Sequence, residues 1–436
     1  MPPPIRALGR VTVVMACLTA CVAPYDSKPV RSAAPAVGPS AGLAPPVAGP
    51  ARPGALVLPR EVDVILSSVE SRPQIAVEGR KRGELTIART PQGVQVLGSE
   101  TPPAPIIVVR GPVRIGDATH RGDVLFTPRA KGGLRATARL PLETYVAAVV
   151  AAEIPLWSAA PAELEAQAIA ARTFAIQTLR TRIAAGVAPE LMDGVLDQAY
   201  DGSFVAGGSP GAQRAEARLD AAVRATAGLC LMRGDSLEEA RYHASCGGQT
   251  ASFEDVFASE VASRGARGPL GVRCPPCRRR AEWESAQRAP DAKRPLGWMV
   301  DLDPTALAVL GKALGLSGRV SRLFPIRRDR GGRWLEVHVE GPTRSDSRRV
   351  TFEALRKVVG YKTLKSANLA TTLPRPGESI PQGASLRIQG RGRGHGVGLC
   401  QESLRELAQG GWSSDQILRH YYAGARVARL PMAPSD

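Results

Sequence analysis

Two groups of residues in this sequence have the types and the spacing to do chemistry. The first is an acid that ends an apolar helical stripe. Leu142, Val146, Val149 and Glu153 follow i, i+4, i+7 and i+11, which at about 100° per residue sets them within about 60° of one another. Pro141 suits the first turn of a helix, and Pro155 must end one at about Ile154. A carboxyl group at the mouth of whatever that stripe packs against is partly desolvated. A desolvated carboxyl keeps its proton more readily, as a general acid must. The competing reading is an interfacial glutamate neutralised by an arginine. The second group is Cys274-Pro275-Pro276-Cys277, whose spacing lets two thiolates reach one metal ion. No thioredoxin-like βαβ pattern surrounds it, which sets a redox role third behind a metal and a disulfide. The glycine-rich run GRGRGHGVG around His395 lacks a following βαβ unit with a ribose-binding acid, so it is not a dinucleotide site.

The elements that must position these groups form an α+β pattern. Short β-rich runs at 62–68, 74–77, 84–88, 94–97, 106–109, 123–126 and 134–140 are separated by turn residues. They predict a small antiparallel β-domain over 61–140, joined to a helical core with further strands over 141–425. The spacing predicts a second helix over about 161–183, with Leu164, Ala168, Ala171, Ala175 and Leu179 on one face and Gln167 and Arg172 flanking it. Runs at 323–327, 334–339 and 386–388 read as strands, 352–359 as a short helix, and 413–422 as a terminal helix capped by serine. Residues 283–303 show no assignable pattern.

The ends and the composition fix the surroundings. Arg6 and Arg10 precede an apolar run, Val11 to Ala20, too short to span a bilayer, which reads as a signal peptide over 1–20. Leu18-Thr19-Ala20-Cys21 resembles the lipobox of bacterial lipoproteins, and that resemblance implies cleavage before Cys21 and lipidation of its thiol. Residues 21–60 are rich in Pro, Ala, Gly and Ser and form a tether. In a chain of 436 residues, 57 Lys and Arg stand against 40 Asp and Glu, a formal charge of +17. An exported chain with this charge meets anionic envelope polymers. Aromatic residues are only 4% and do not interleave basic stretches, so nucleic acid is not an expected partner.

Three separated motifs carry a family resemblance. LPLETYVAAVVAAEIP followed by AELEAQAIAARTFAI resembles the signature of the SpoIID/LytB family, the stage II sporulation protein D and amidase-enhancer type. RYHASCGGQT (241–250) resembles its His-x-Ser-x-Ser-Gly-Gly-x-Thr segment, and GHGVGLCQ (394–401) its Gly-His-Gly-Val-Gly-Met-Ser-Gln segment. The likeness covers roughly residues 61–425. It implies a lytic transglycosylase that cleaves the bond between N-acetylmuramic acid and N-acetylglucosamine in peptide-stripped glycan strands of peptidoglycan. By the same resemblance Glu153 is the catalytic acid and Gln167 and Arg172 are its catalytic partners, while His243, His395 and Gln401 bind substrate. One carboxyl group suffices for that reaction, because the muramyl C6 hydroxyl rather than water attacks. The alternative is a non-catalytic glycan-binding module that stimulates a cell-wall amidase; a purely structural envelope lipoprotein, the third, binds no glycan.

This chain departs from the family pattern at several positions. Glu165 stands where many members have lysine, one extra residue separates Glu153 from the second helix, Arg393 replaces a frequent tryptophan, and Glu402-Ser403 follows Gln401. Cys246 and Cys400 stand where the motifs have serine. With Cys274 and Cys277 they make up the expected ligand set for a structural zinc, His243 being the reserve ligand and disulfide pairing the rival outcome. The expected location is the cell envelope, on the periplasmic face, with a membrane anchor through Cys21 and no organic cofactor. Val22 after Cys21 gives no retention signal for an inner membrane, which favours an outer membrane where there is one.

Overall fold

The computed structural model describes residues 56–79, 83–194, 197–287, 295–369 and 379–434. The signal peptide, the lipidated Cys21 and nearly all of the tether lie outside the described residues. The class is α+β, as the sequence implied.

Alternation of apolar and polar residues builds the first sheet. Val62 and Val64 are buried while Glu61 faces out, as a strand covered on one face requires. Five strands lie in the order Glu190–Met192, Glu61–Ile65, Leu134–Pro141, Asp123–Pro128, Ile107–Val109. All pairs are antiparallel except the first. A second antiparallel sheet is ordered Gly93–Val96, Gly83–Thr90, Gln74–Gly79, Val113–Ile115, Ala118–His120. Its last two strands were not read from the sequence, because three-residue strands carry no measurable alternation.

The strand Leu134–Pro141 runs straight into helix α1, Leu142–Glu153, with Pro141 at its N-cap and Ile154 at its C-cap. Helix α2, Pro161–Ala184, follows after a short 3₁₀ turn. Its Ala168, Ala171 and Ala175 are fully buried, which lets α1 and helix α3 (Pro210–Ala225) approach closely. One continuous apolar core joins the strands of 61–141 to α1, α2, α3 and the helices Gln401–Gln409 and Ser414–Tyr421. The β-rich segment therefore shares its core with the helices.

Within 141–425 there is also a second apolar core, centred on Trp298, Trp334, Val337, Phe352 and Ile388. It lies between the strand pair Gly297–Leu302 with Leu386–Arg391 and the three-stranded sheet Arg322–Arg328, Trp334–Glu340, Ser347–Thr351. The buried Arg333 guanidinium joins the two cores, donating to the carbonyls of Cys246 and Gln249. Among the described residues no helix is long and apolar enough to cross a membrane.

Candidate functional site

Three segments far apart in sequence meet at the C-terminal end of α1. The decisive contact is a two-residue parallel pairing of Tyr242–His243 with Leu399–Cys400, in the register Tyr242 to Leu399 and His243 to Cys400. It sets the 241–250 segment beside 394–401. The approach is close: a Cβ on Gly398, at φ +72°, would lie 2.0 Å from the Arg241 carbonyl oxygen, and one on Gly394, at φ +99°, 2.9 Å from His243 Cβ. The glycine-rich run thus admits the protein's own strand.

This pairing delivers Gln401 and Tyr242 to Glu153. Gln401 Nε2 donates to Glu153 Oε2 at 2.9 Å. Glu153 Oε1 accepts from the Ala199 backbone N–H at 3.1 Å and faces the Tyr242 hydroxyl at 3.4 Å. Tyr242 also donates to Gln198 Oε1 at 2.8 Å, and Gln198 Nε2 donates to the Tyr145 hydroxyl at 3.0 Å. Burial, chiefly, pushes the phenols of Tyr145 and Tyr242 far up, so both stay protonated donors. Glu153 is half-buried, its three apolar stripe-mates are fully buried, and no ion pair to it forms among the described residues. The interfacial-arginine alternative therefore finds no partner.

The other expected residues lie elsewhere. Arg172 is fully buried and pairs through Nε and Nη2 with Glu143, in the first turn of α1, and through Nη1 with the Leu229 carbonyl. Glu143 and Glu153 are separated by about 15 Å along the helix. Arg172 therefore anchors the helix at its far end and does not touch the acid. Gln167 is also fully buried, and neither polar atom of its amide has a partner. The expectation that Arg172 reaches a site beside Glu153 is corrected on these grounds, and Gln167 makes no hydrogen bond to the acid: the alanine face that packs α2 closely carries its flanking residues into the core as well. Glu165, which stands where many members have lysine, accepts from Ser414.

His243 is buried, bonded through Nδ1 to the Val397 carbonyl, and held neutral, since burial pushes its pKa down to about 4. His395 accepts the Val397 N–H on Nδ1 and packs 5.7 Å from His243 and 5.4 Å from Phe257. Both rings support the paired strand rather than reach the carboxyl group. Of the substrate-binding residues expected, the fold brings Gln401 to Glu153.

Tyr242, Gln198, Ala199 and Tyr145 were not read as site residues. Tyr242 lies inside a motif that carries the family resemblance, but Gln198 lies in a stretch with no periodic signal. A stacked pair of rings backs this wall: Tyr200 lies 5.8 Å from Tyr145 and 5.7 Å from His120. Burial pushes the His120 pKa from 6.5 down to about 4. The native ring stays neutral while the unfolded chain takes up a proton, so this contribution is complete above pH about 6.5 and falls away towards pH 4, by at most about 3 kcal/mol. Urea unfolding of wild type should lose stability over that interval more steeply than His120→Asn; parallel curves would contradict it.

Behind the paired strands, the sulfurs of Cys246, Cys274, Cys277 and Cys400 all lie within 4.8 Å of one another and all four residues are buried. They are free thiols in the structure. Cys277 and Cys400 sulfurs are 3.6 Å apart, against about 3.8 Å for the edge of a thiolate tetrahedron with bonds of about 2.3 Å. The Cys246 N–H points at Cys400 Sγ and the Gly248 N–H at Cys246 Sγ, each at 3.4 Å, and the Tyr421 hydroxyl lies 3.2 Å from Cys274 Sγ. Hydrogen bonds from the Cys246, Cys277 and Cys400 thiols hold that of Cys274 well below its ordinary range, while those of Cys277 and Cys400 are pushed up. A thiophilic ion would favour thiolates at all four sulfurs. The donors fit a single metal ion. His243 is not among the cluster's ligands. Cys230 stands apart from the cluster, on the strand Leu229–Arg233, its thiol pushed up to about 11 by burial.

Comparison with known proteins finds a family domain around helices α1 and α2. Residues 130–232 match the SpoIID family model, described as stage II sporulation protein. Residues 130–232 thus carry a SpoIID-family domain. That match spans α1, α2 and Glu153. A stage II sporulation protein D of Bacillus subtilis (strain 168) is 23% identical over 325 residues, 73% of this chain and 83% of that protein. One of Bacillus amyloliquefaciens is 23% identical over 294 residues, 66% of this chain and 74% of that protein. Both alignments are longer than the matched domain.

Proposed function

We propose that this chain, with its SpoIID-family domain, is a peptidoglycan lytic transglycosylase with Glu153 as its single acid and base. The observation that carries the reading is a half-buried carboxyl group held by two neutral N–H donors, with the Tyr242 hydroxyl 3.4 Å away and no cation paired with it among the described residues. Protonated Glu153 gives its proton to the oxygen linking N-acetylmuramic acid to N-acetylglucosamine, and the C1–O bond breaks. The resulting carboxylate takes the proton from the muramyl C6 hydroxyl as O6 closes on C1. One bond forms, one breaks, and no water is consumed. Gln401 and the Ala199 N–H aim the two oxygens; Tyr242, its own proton directed at Gln198, can accept from the protonated acid and donate to the carboxylate. Arg172 fixes the helix that carries Glu153.

Zinc is the metal we assign to the four thiols, because four sulfur donors with tetrahedral spacing suit it. It would hold the segments bearing Tyr242 and Gln401 together and takes no part in bond cleavage. The site of action is the cell envelope, with the chain tethered by lipid on Cys21. Cys21→Ala should abolish incorporation of labelled fatty acid and release the protein from membranes; labelled Cys21→Ala would refute the anchor.

Digestion of peptide-free glycan strands by the soluble body, followed by mass spectrometry, tests the activity. The proposal expects 1,6-anhydromuramyl ends. Strands bound but left intact would instead support the amidase-enhancing module.

A further inference from the structure

Trp157 lies four residues beyond Glu153, on the 3₁₀ turn Leu156–Ser158, and is 63% exposed. So large an apolar side chain is normally well covered. It is not a loose surface residue. Arg218 Nη2, from α3, donates to the carbonyl oxygens of Leu156 at 2.7 Å and of Trp157 at 3.3 Å. The indole packs edge-on against Phe204, centroids 6.5 Å apart. Val205 beside it is 53% exposed.

The segment bearing Phe204 is fixed as firmly. Ala199, five residues earlier, gives its N–H to Glu153. Ser203 N–H donates to the Thr119 carbonyl at 2.7 Å, and the Arg121 N–H donates to Ser203 Oγ at 3.2 Å. Gly202, at φ +89°, lies against the same Thr119 carbonyl, 2.9 Å from where a Cβ would sit. Both aromatic residues thus hang from chain segments whose other ends grip Glu153. Four residues span at most about 14 Å, within reach of a few sugar units.

Resting on the transglycosylase reading above, we propose that Trp157 and Phe204 form an aromatic ledge that stacks a pyranose ring of the glycan strand next to the cleaved bond. The C–H face of a pyranose is apolar and weakly positive, and it suits the negative face of an indole. A rigid ring loses little entropy on binding, so stacking adds affinity without ordering a loop. This ledge would fix the register of the strand relative to Glu153, whose own contacts are all polar.

The test uses the Glu153→Gln chain, which keeps the ledge and should bind without cleaving, and purified peptide-free glycan strands as probe. Affinity is measured by co-sedimentation and by tryptophan fluorescence. In that background Trp157→Ala should bind about tenfold more weakly, Phe204→Ala less so, and the melting temperature of Trp157→Ala should match its parent. Trp157→Phe should keep most of the affinity while losing the fluorescence change. Undiminished binding by a folded Trp157→Ala would overturn the ledge. Failure of the Glu153→Gln parent to bind any strand would overturn the glycan reading, and the ledge with it.

Discussion

Glu153→Gln is expected to slow release of 1,6-anhydromuramyl ends by about a thousandfold or more and to leave the fold intact. General acid and base contributions are each about 10²- to 10⁴-fold, and here one group supplies both. Glutamine keeps the shape of glutamate. Its amide oxygen can occupy the Oε1 position and accept the Ala199 N–H. Its NH₂ then faces Gln401, whose amide can turn to present oxygen. The cost in stability should stay near 1 kcal/mol, read as a small shift in urea midpoint. Glu153→Ala is the harsher change, because it leaves Gln401 and the Ala199 N–H without an acceptor. An unchanged rate in well-folded Glu153→Gln would remove the acid from its assigned place.

Removing the metal should have the largest effect on stability. The purified chain is expected to carry about one equivalent of zinc, lost to a strong chelator with a pronounced fall in melting temperature. Binding at about a thousandfold over the dissociation constant contributes about 4 kcal/mol to the folded state, and four buried thiols bereft of their cation would also repel a second negative charge. Cys400→Ser tests the same site from within. Cys400 immediately precedes Gln401, at the start of its helix, so loss of its thiol should both weaken zinc and loosen the Gln401 contact with Glu153. Disulfides would behave oppositely, with stability sensitive to reductant and indifferent to chelator.

The parts legible in the sequence were those with a local signal. The stripe 142–146–149–153 and the two prolines bound α1 to within a residue of Leu142–Glu153, and the alanine-rich run did the same for α2. The four-cysteine set came from substitutions at motif positions, and its members do lie together. What stayed hidden was long-range. No periodic pattern announces a two-residue parallel pairing between 242–243 and 399–400, yet that pairing brings Gln401 and Tyr242 to the acid. Ala199 reaches Glu153, and Gln198 the Tyr242 hydroxyl beside it, from a stretch with no periodicity at all. Arg172 looked available because it flanks an apolar face, but a helix buried this deeply takes its flanks inside, where the ion pair with Glu143 and the bond to the Leu229 carbonyl make a guanidinium tolerable. Helices Pro210–Ala225 and Pro304–Ala313 went unread, although Ser209 and Asp303 cap them through bonds to Ala212 and Ala306.

The fate of solvent oxygen tests the central claim most directly. Peptide-free glycan strands are digested by the wild-type chain in water enriched in oxygen-18, and the new ends are weighed by mass spectrometry. Intramolecular attack by the C6 hydroxyl predicts ends lighter than the hydrolytic product by one water and carrying no label, absent from the Glu153→Gln reaction. Labelled reducing ends would contradict the account, since they require water as the nucleophile and a second group to activate it.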